Sequence, residues 1–441
     1  MPDHARAITS LPQYAELADG GEGHGFNAIC PSHPRTLPLL KEIIAEVAEL
    51  FPSRYFHAGM DEVNVGDCPR CRRRSRGRPR WWLYAQHLKA IHQAVTAAGK
   101  EMIVWADHVE HDPAMLKSLP RDLILAHWQY RAIRPEPIRR SLRAGFRVIG
   151  CPALCHSGDM IMPNRANFEN MDAMTATLRR GARGGKVLGL VNTWWAPWRG
   201  LRDAYLPAAA YTAAMVRQAK PVRRAAFMAR FCRQSFGIGG TAGRALWQLH
   251  EEMIGREEVA ALLFDSPADM HRAAALAAGQ GLAERADRLR WATAELKAHL
   301  RRASAGREIL QALVLAGEVA ALCCRRGVQL AEALDHYARA EHLHTTDRPE
   351  PAVLEHLTRS AEILEQMQAE LRAVHRAVSA EWNRTRYAND VKKYFRPPLW
   401  RRWDALLVRL DRAERFGKAL ARDFRRRVAR YRRSGSLPYG S

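Results

Sequence analysis

Between Thr36 and Ala210, short and nearly continuous apolar runs alternate with helix-length amphipathic stretches; beyond about residue 215 the short runs stop. Runs without polar alternation suit strands buried on both faces, and parallel strands need a crossover helix between them. The strand candidates are Tyr55–Met60, Met102–Trp105, Leu123–Trp128, Arg147–Gly150 and Val187–Asn192. The spacing predicts a helix over Thr36–Leu50, with Thr36 as N-cap, Pro38 in the first turn, and Leu40, Ile43, Ile44 and Val47 as its apolar stripe. A second helix is expected over Trp82–Ala98, ending at Gly99, and shorter ones near Ala114–Leu119, Pro137–Ala144 and Asp172–Arg180. This rhythm predicts an α/β fold with a parallel sheet. Asp61, Glu62, Trp105, Asp107, His127, Trp128, Trp194 and Trp195 all fall at the C-terminal ends of the strands or just beyond. In a (β/α)8 TIM-type barrel the active site lies at that end.

After a glycine-rich loop at Gly237–Gly243, residues 255–345 and 350–432 carry Ala, Leu, Arg and Glu with helical spacing. Leu399, Trp403, Leu406, Leu410, Ala413, Leu420, Phe424, Val428 and Tyr431 form one stripe. The expected organisation is a catalytic α/β domain over 1–215 and an α-helical C-terminal domain over 216–441.

With 441 residues, 47% of them hydrophobic, the chain can bury a sizeable core. It has no apolar run of about 18 residues, so no transmembrane helix is expected. MPDHARAITS lacks the apolar centre of a signal peptide, and eight cysteines are too few for a disulfide scaffold. The expected location is cytoplasmic. The net charge is +23, with seven Arg and no acid in Arg70–Arg80, and 14 Arg or Lys against four acids in 396–433. Such patches attract nucleic acid, anionic lipid or acidic polysaccharide. A solvated charged face is the simpler reading, and nucleic acid is not an expected partner.

The stretch that carries chemistry is His57-Ala58-Gly59-Met60-Asp61-Glu62-Val63. Two adjacent carboxylates disfavour each other's ionisation, so one pair supplies both an acid and a base. Hydrolysis of a glycosidic bond needs such a pair. Strand alternation puts His57, Gly59 and Asp61 on one side, with Glu62 just past the strand end. The bland alternative is a surface Asp-Glu pair opening a helix. Cys68-Pro69-Arg70-Cys71 follows; it is half of a tetrahedral zinc site, a redox pair, or a pair of loop thiols. Cys151 and Cys155, or a nearby His, are candidates to complete a metal site, but nothing requires one, and no metal or cofactor is expected. Cys323-Cys324 reads as core.

The motif from His57 to Val63, preceded by Leu50-Phe51-Pro52 and Tyr55-Phe56, resembles the catalytic motif of glycoside hydrolase family 20, the β-N-acetylhexosaminidases. Cys30-Pro31-Ser32-His33-Pro34 resembles the family's loop before the preceding helix. The likeness covers roughly residues 1–215. It implies that Glu62 is the general acid, that Asp61 orients the 2-acetamido group whose carbonyl oxygen is the nucleophile, and that configuration is retained. It also implies substrate contacts from His4 and His57 and aromatic walls from Trp105, Trp128, Trp194 and Trp195. Met1-Pro2-Asp3-His4 resembles the end of the family's strand-three motif, with Asp3 in place of a Gly. On that alignment strands 4–8 are present and the barrel is incomplete, lacking also the family's substrate-clamping Arg. A secreted or periplasmic location then becomes an alternative. The family's acetamide-binding Tyr has no match in Val148–His156, and Gly189–Trp198 departs from the family's Trp-x-Glu pattern. The resulting expectation is a glycosidase removing terminal β-linked N-acetylhexosamine. The alternative is a non-catalytic homologue that binds carbohydrate or a partner through its basic helical half.

Overall fold

A computed structural model describes residues 5–19, 28–79, 81–156, 158–181, 184–195, 199–218, 221–279, 281–346, 350–385 and 405–437. They fall into two units, Met1–Ala153 with Asn170–Asn192, and Leu154–Glu169 with Thr193–Ser441.

The strands are β1 (Tyr55–His57), β2 (Glu101–Trp105), β3 (Ile124–Trp128), β4 (Arg147–Cys151), β5 (Ala153–Cys155), β6 (Val187–Leu190) and β7 (Thr193–Trp194). In the first unit β1-β2-β3-β4-β6 form one parallel sheet in that order. The register pairs His57 with Ile103, Trp105 with Ala126, and Trp128 with Cys151. One face of the sheet therefore carries Ile103, Trp105, Ile124, Ala126, Trp128, Ile149 and Cys151, which pack as a cluster. The opposite face, with Met102, Val104 and Leu125, packs in the main core. Burial on both faces explains why β2, β3 and β4 read as unbroken apolar runs, whereas β1 and β6 at the sheet's edges are more exposed.

The helices of this unit are α1 (Arg6–Thr9), α2 (Thr36–Leu50), α3 (Pro69–Ser75), α4 (Trp81–Ala97), α5 (Asp107–His111), α6 (Pro135–Arg143) and the greater part of α7 (Arg165–Gly181). Helix α2 has the expected bounds, but Thr36 is not its cap. It is the first helical residue, and its hydroxyl donates to the Cys30 carbonyl at 2.7 Å. Leu40 and Ile44 of α2 and Tyr84, Leu88, Ile91 and Val95 of α4 fill the core on the helical side of the sheet.

The second unit pairs β5 with β7 and is otherwise helical among its described residues. It holds α8 (Leu206–Arg217), α9 (Arg224–Phe236), α10 (Ala242–Glu252), α11 (Arg256–Leu262), α12 (Pro267–Gly279), α13 (Leu282–Ala298), α14 (Arg307–Thr345), α15 (Glu350–Thr385) and α16 (Leu406–Ser434). Helix α16 buries Leu406, Leu410, Ala413, Gly417, Ala421, Phe424, Val428 and Tyr431. Gly417 and Ala421 thus take the place in the stripe that the sequence assigned to Leu420. An ideal Cβ on Gly417 would lie 2.3 Å from Gln368 Oε1, so a larger residue there would require the Gln368 side chain to shift. Leu399 and Trp403 lie outside the described residues. No described helix is long and apolar enough to cross a membrane.

Two buried histidines tie stability to pH. Burial holds His87 of α4 down to about 3 and His250 of α10 down to about 4. His250 Nδ1 lies 2.7 Å from the Pro163 carbonyl, so Nδ1 carries the proton and the ring is neutral. In the unfolded chain both groups titrate near 6.5. The folded state therefore disfavours their protonation, and the full stability contribution is present above pH 6.5. It is lost as the pH falls from 6.5 towards 4. We expect the melting temperature to fall over pH 6.5 to 5, before ordinary carboxylates titrate. A profile flat over that window, followed by circular dichroism, would contradict the assignment.

Candidate active site

Strand β1 ends at His57, but two ladder bonds continue past it. The Ala58 N–H donates to the Ile103 carbonyl at 2.9 Å, and the Trp105 N–H to the Gly59 carbonyl at 3.0 Å. The backbone then turns sharply. Gly59, Met60 and Glu62 have φ of 73°, 73° and 51°. Glycine adopts this left-handed region freely, whereas for Met and Glu it costs about 1–2 kcal/mol each. The expected strand Tyr55–Met60 is thus three residues too long. Alternation cannot be carried through to Asp61, because the left-handed turn breaks the period of two.

Three groups hold the turn. The Tyr84 hydroxyl donates to the Met60 carbonyl at 2.9 Å. The Glu62 N–H donates to Asp107 Oδ2 at 2.9 Å, and the Val63 N–H to His108 Nε2 at 3.0 Å. The side chains of Met60 and Val63 are buried on either side of the acid pair. Met60 and Val63 thus fix the chain, while Glu62 itself is exposed and Asp61 half-buried. Strained backbone at a position over-determined by its surroundings is characteristic of functional sites.

The anchors come from one turn. Asp107 and His108 open α5, directly after β2. His108 stacks on Tyr84, with ring centroids 4.1 Å apart. Burial lowers the His108 pKa, with Asp107 opposing. A neutral ring matches its role, since Nε2 accepts from Val63 and the proton then sits on Nδ1. Burial likewise raises the Tyr84 hydroxyl, which stays protonated as a donor. The sequence reading placed Asp107 at a strand end but missed its part in holding Glu62. The signal was available: an acid two residues beyond β2, beside the strand whose own acids follow it.

His57 and Trp105 meet on the sheet face that also carries Trp128, their ring centroids 4.4 Å apart. Trp128 lies 5.1 Å from Tyr130. Trp128 Nε1 and Asp107 Oδ1 are buried without a hydrogen-bond partner among the described residues. Buried polar atoms ordinarily have a partner, so each of these marks a place for a water or a polar group of a ligand. His127 points to the other face, where Nδ1 lies 2.8 Å from Glu110 and Nε2 3.1 Å from Ser141. Glu110 also receives Gln129 Nε2 at 3.0 Å and Arg134 at 2.8 Å. This network braces the loop bearing Tyr130.

Trp194 and Trp195 belong to the second unit, where Trp194 stacks on Tyr205 at 4.6 Å and Trp195 is exposed. His4 lies outside the described residues. Cys68 and Cys71 gather with Cys30 and Asp19. They are not joined by Cys151, which packs on the sheet face, and Cys155 belongs to the second unit.

Residues 1–184 match the model of glycosyl hydrolase family 20, catalytic domain. Over this segment the chain is similar to that catalytic domain. The matched segment holds the acid pair, Trp105, Trp128 and all three anchors, and ends before Trp194. A beta-N-acetylhexosaminidase of Cellulomonas fimi is 25% identical over 162 residues, covering 34% of this chain and 28% of that protein. A beta-hexosaminidase of Vibrio furnissii is 26% identical over 162 residues, covering 34% of this chain and 25% of that protein. The match thus spans about a quarter of the length of these curated relatives. Among solved structures, a GH138 enzyme targeting pectin rhamnogalacturonan II aligns with 93% of this chain and 67% of its own, with a TM-score of 0.51 and 11% identity. At that identity the likeness is one of fold.

Proposed function

We propose that the chain is a retaining glycosidase removing terminal β-linked N-acetylhexosamine, built on a (β/α)8-type catalytic domain with a helical C-terminal domain. Glu62 donates its proton to the glycosidic oxygen as the bond to the leaving group breaks. The carbonyl oxygen of the substrate's own 2-acetamido group attacks the anomeric carbon, and Asp61 accepts the acetamide N–H and offsets the developing positive charge. Water then opens the cyclic intermediate, giving its proton to Glu62, and two inversions leave the configuration retained. His57, Trp105 and Trp128 supply a face on which the apolar side of a sugar stacks. The observation that carries this reading is the left-handed turn at Met60–Glu62, clamped by Tyr84, Asp107 and His108.

The test is release of 4-nitrophenol from its N-acetyl-β-D-glucosaminide by the purified chain, beside the plain β-D-glucoside. We expect turnover of the first only, and Asp61→Asn to lower it by about 10²-fold or more, the order of a lost transition-state contact. Equal turnover of both sugars would overturn the role of Asp61. A second reading, carbohydrate binding without turnover, is favoured by one feature: β4 ends in Cys151, where no tyrosine stands to receive an acetamide. It predicts binding of N-acetylglucosamine by calorimetry with no release of 4-nitrophenol.

A further inference from the structure

Asp19, Cys30, Cys68 and Cys71 come from three separate segments of the chain, yet their ligand atoms all lie within 4.8 Å of one another. Cys30 Sγ is 3.4 Å from Cys68 Sγ and 3.5 Å from Cys71 Sγ. Zinc with Zn–S bonds of about 2.3 Å in a tetrahedron holds its sulfur atoms about 3.8 Å apart. The two separations from Cys30 are within a few tenths of an ångström of that. Cys30, Cys71 and Asp19 are buried, and the cluster packs against Leu83 and Trp82 of α4.

Each ligand is oriented by its neighbours. Asp19 accepts the Gly66 N–H on Oδ2 at 2.8 Å and the Cys68 N–H on Oδ1 at 3.1 Å. Each oxygen keeps a lone pair. The Cys71 N–H donates to Cys68 Sγ at 3.3 Å, and Cys71 Sγ lies 3.2 Å from Ser32 Oγ. The Cys30 carbonyl receives Thr36, and Arg74 donates to the Pro31 carbonyl at 2.9 Å. Such outer contacts are what fix a metal's ligands. Among the described residues no basic side chain pairs with the buried Asp19. A buried carboxylate calls for a compensating charge, and a cation amid the sulfurs provides it.

We propose that Asp19, Cys30, Cys68 and Cys71 bind one zinc ion tetrahedrally, closing the segment that follows Glu62 onto α4. Three thiolates and one carboxylate select a soft divalent ion over magnesium or calcium. A closed four-ligand set without an open position is structural rather than catalytic. The three thiolates and the carboxylate outweigh the ion by two negative charges, which Arg70, Arg72, Arg73 and Arg74, around and on α3, offset. A disulfide would use two of the four donors and leave a third thiol and a buried carboxylate uncompensated.

The test reads metal and thiols directly and so is independent of any turnover. Chain purified without chelator is analysed by plasma mass spectrometry, and its thiols are titrated in denaturant without reductant, with chelator added to strip any metal. The expected result is one zinc per chain with all eight cysteines titrating. Replacement by cobalt is expected to give thiolate-to-cobalt charge transfer in the near ultraviolet and tetrahedral bands in the visible. Asp19→Asn and Cys30→Ser are expected to hold zinc at least about tenfold more weakly against a competing chelator. Six titratable thiols without zinc would replace the proposal with a disulfide; eight without zinc would overturn it outright. Should a variant fail to fold, the wild-type metal and thiol counts still decide.

Discussion

Glu62→Gln is expected to lower kcat/KM on the N-acetylglucosaminide by about 10²–10⁴-fold, the range for removal of a general acid. The melting temperature should stay where it was. Glutamine is isosteric with glutamate, the side chain is exposed, and the clamp on this residue acts on its N–H. Glu62→Gly separates chemistry from conformation. It removes the same proton donor, so activity should fall equally. It also relieves a left-handed backbone at φ 51°, so the variant should gain about 1 kcal/mol and melt higher than wild type. Turnover that survives Glu62→Gln undiminished would remove Glu62 from the mechanism. A glycine variant less stable than the glutamine variant would remove the claim of backbone strain.

The second large effect is expected at Asp107. Asp107→Ala leaves the Glu62 N–H without its acceptor at 2.9 Å, and it removes the carboxylate 3.7 Å from His108. With one clamp gone, the turn relaxes and the acid shifts. Misplacement by about 1 Å costs on the order of 10²-fold in rate. The loss should appear chiefly in kcat, because the proposed stacking side chains His57, Trp105 and Trp128 are untouched. Asp107→Asn keeps an oxygen acceptor and is expected to recover most of the lost rate. An Asn variant as impaired as the Ala variant would mean that the charge of Asp107, not its hydrogen bond, is what matters.

Much of this was readable in the chain itself. Helix α2 and strands β2, β3 and β4 appear within a residue or two of where apolar spacing put them, because burial on both faces leaves an unbroken run. The acid pair stands beyond the end of β1, past a turn that the expected strand Tyr55–Met60 did not include. The backbone path between His57 and Glu62 was not legible. Nothing in Met60 or Glu62 favours a left-handed conformation, which tertiary contacts from Tyr84, Asp107 and His108 impose. Parity within β3 places His127 opposite Ala126 and Trp128, since neighbours on a strand face opposite ways; position at the strand end alone groups it with Trp128. Cys30 was missed as a neighbour of Cys68 and Cys71 because close sequence spacing signals only the near half of such a cluster. The far half depends on how α2 and the loop before it fold back.

The clamp on the acid pair has a consequence for the history of such a chain. Tyr84, Asp107 and His108 grip a main-chain carbonyl and two main-chain N–H groups, which every residue type but proline can offer. Selection on the carboxylates and selection on the frame can therefore drift apart. A descendant that abandons turnover is released from the need for the carboxyl groups of Asp61 and Glu62, while the aromatic ring, the acid and the imidazole that grip the main chain keep their role in the frame.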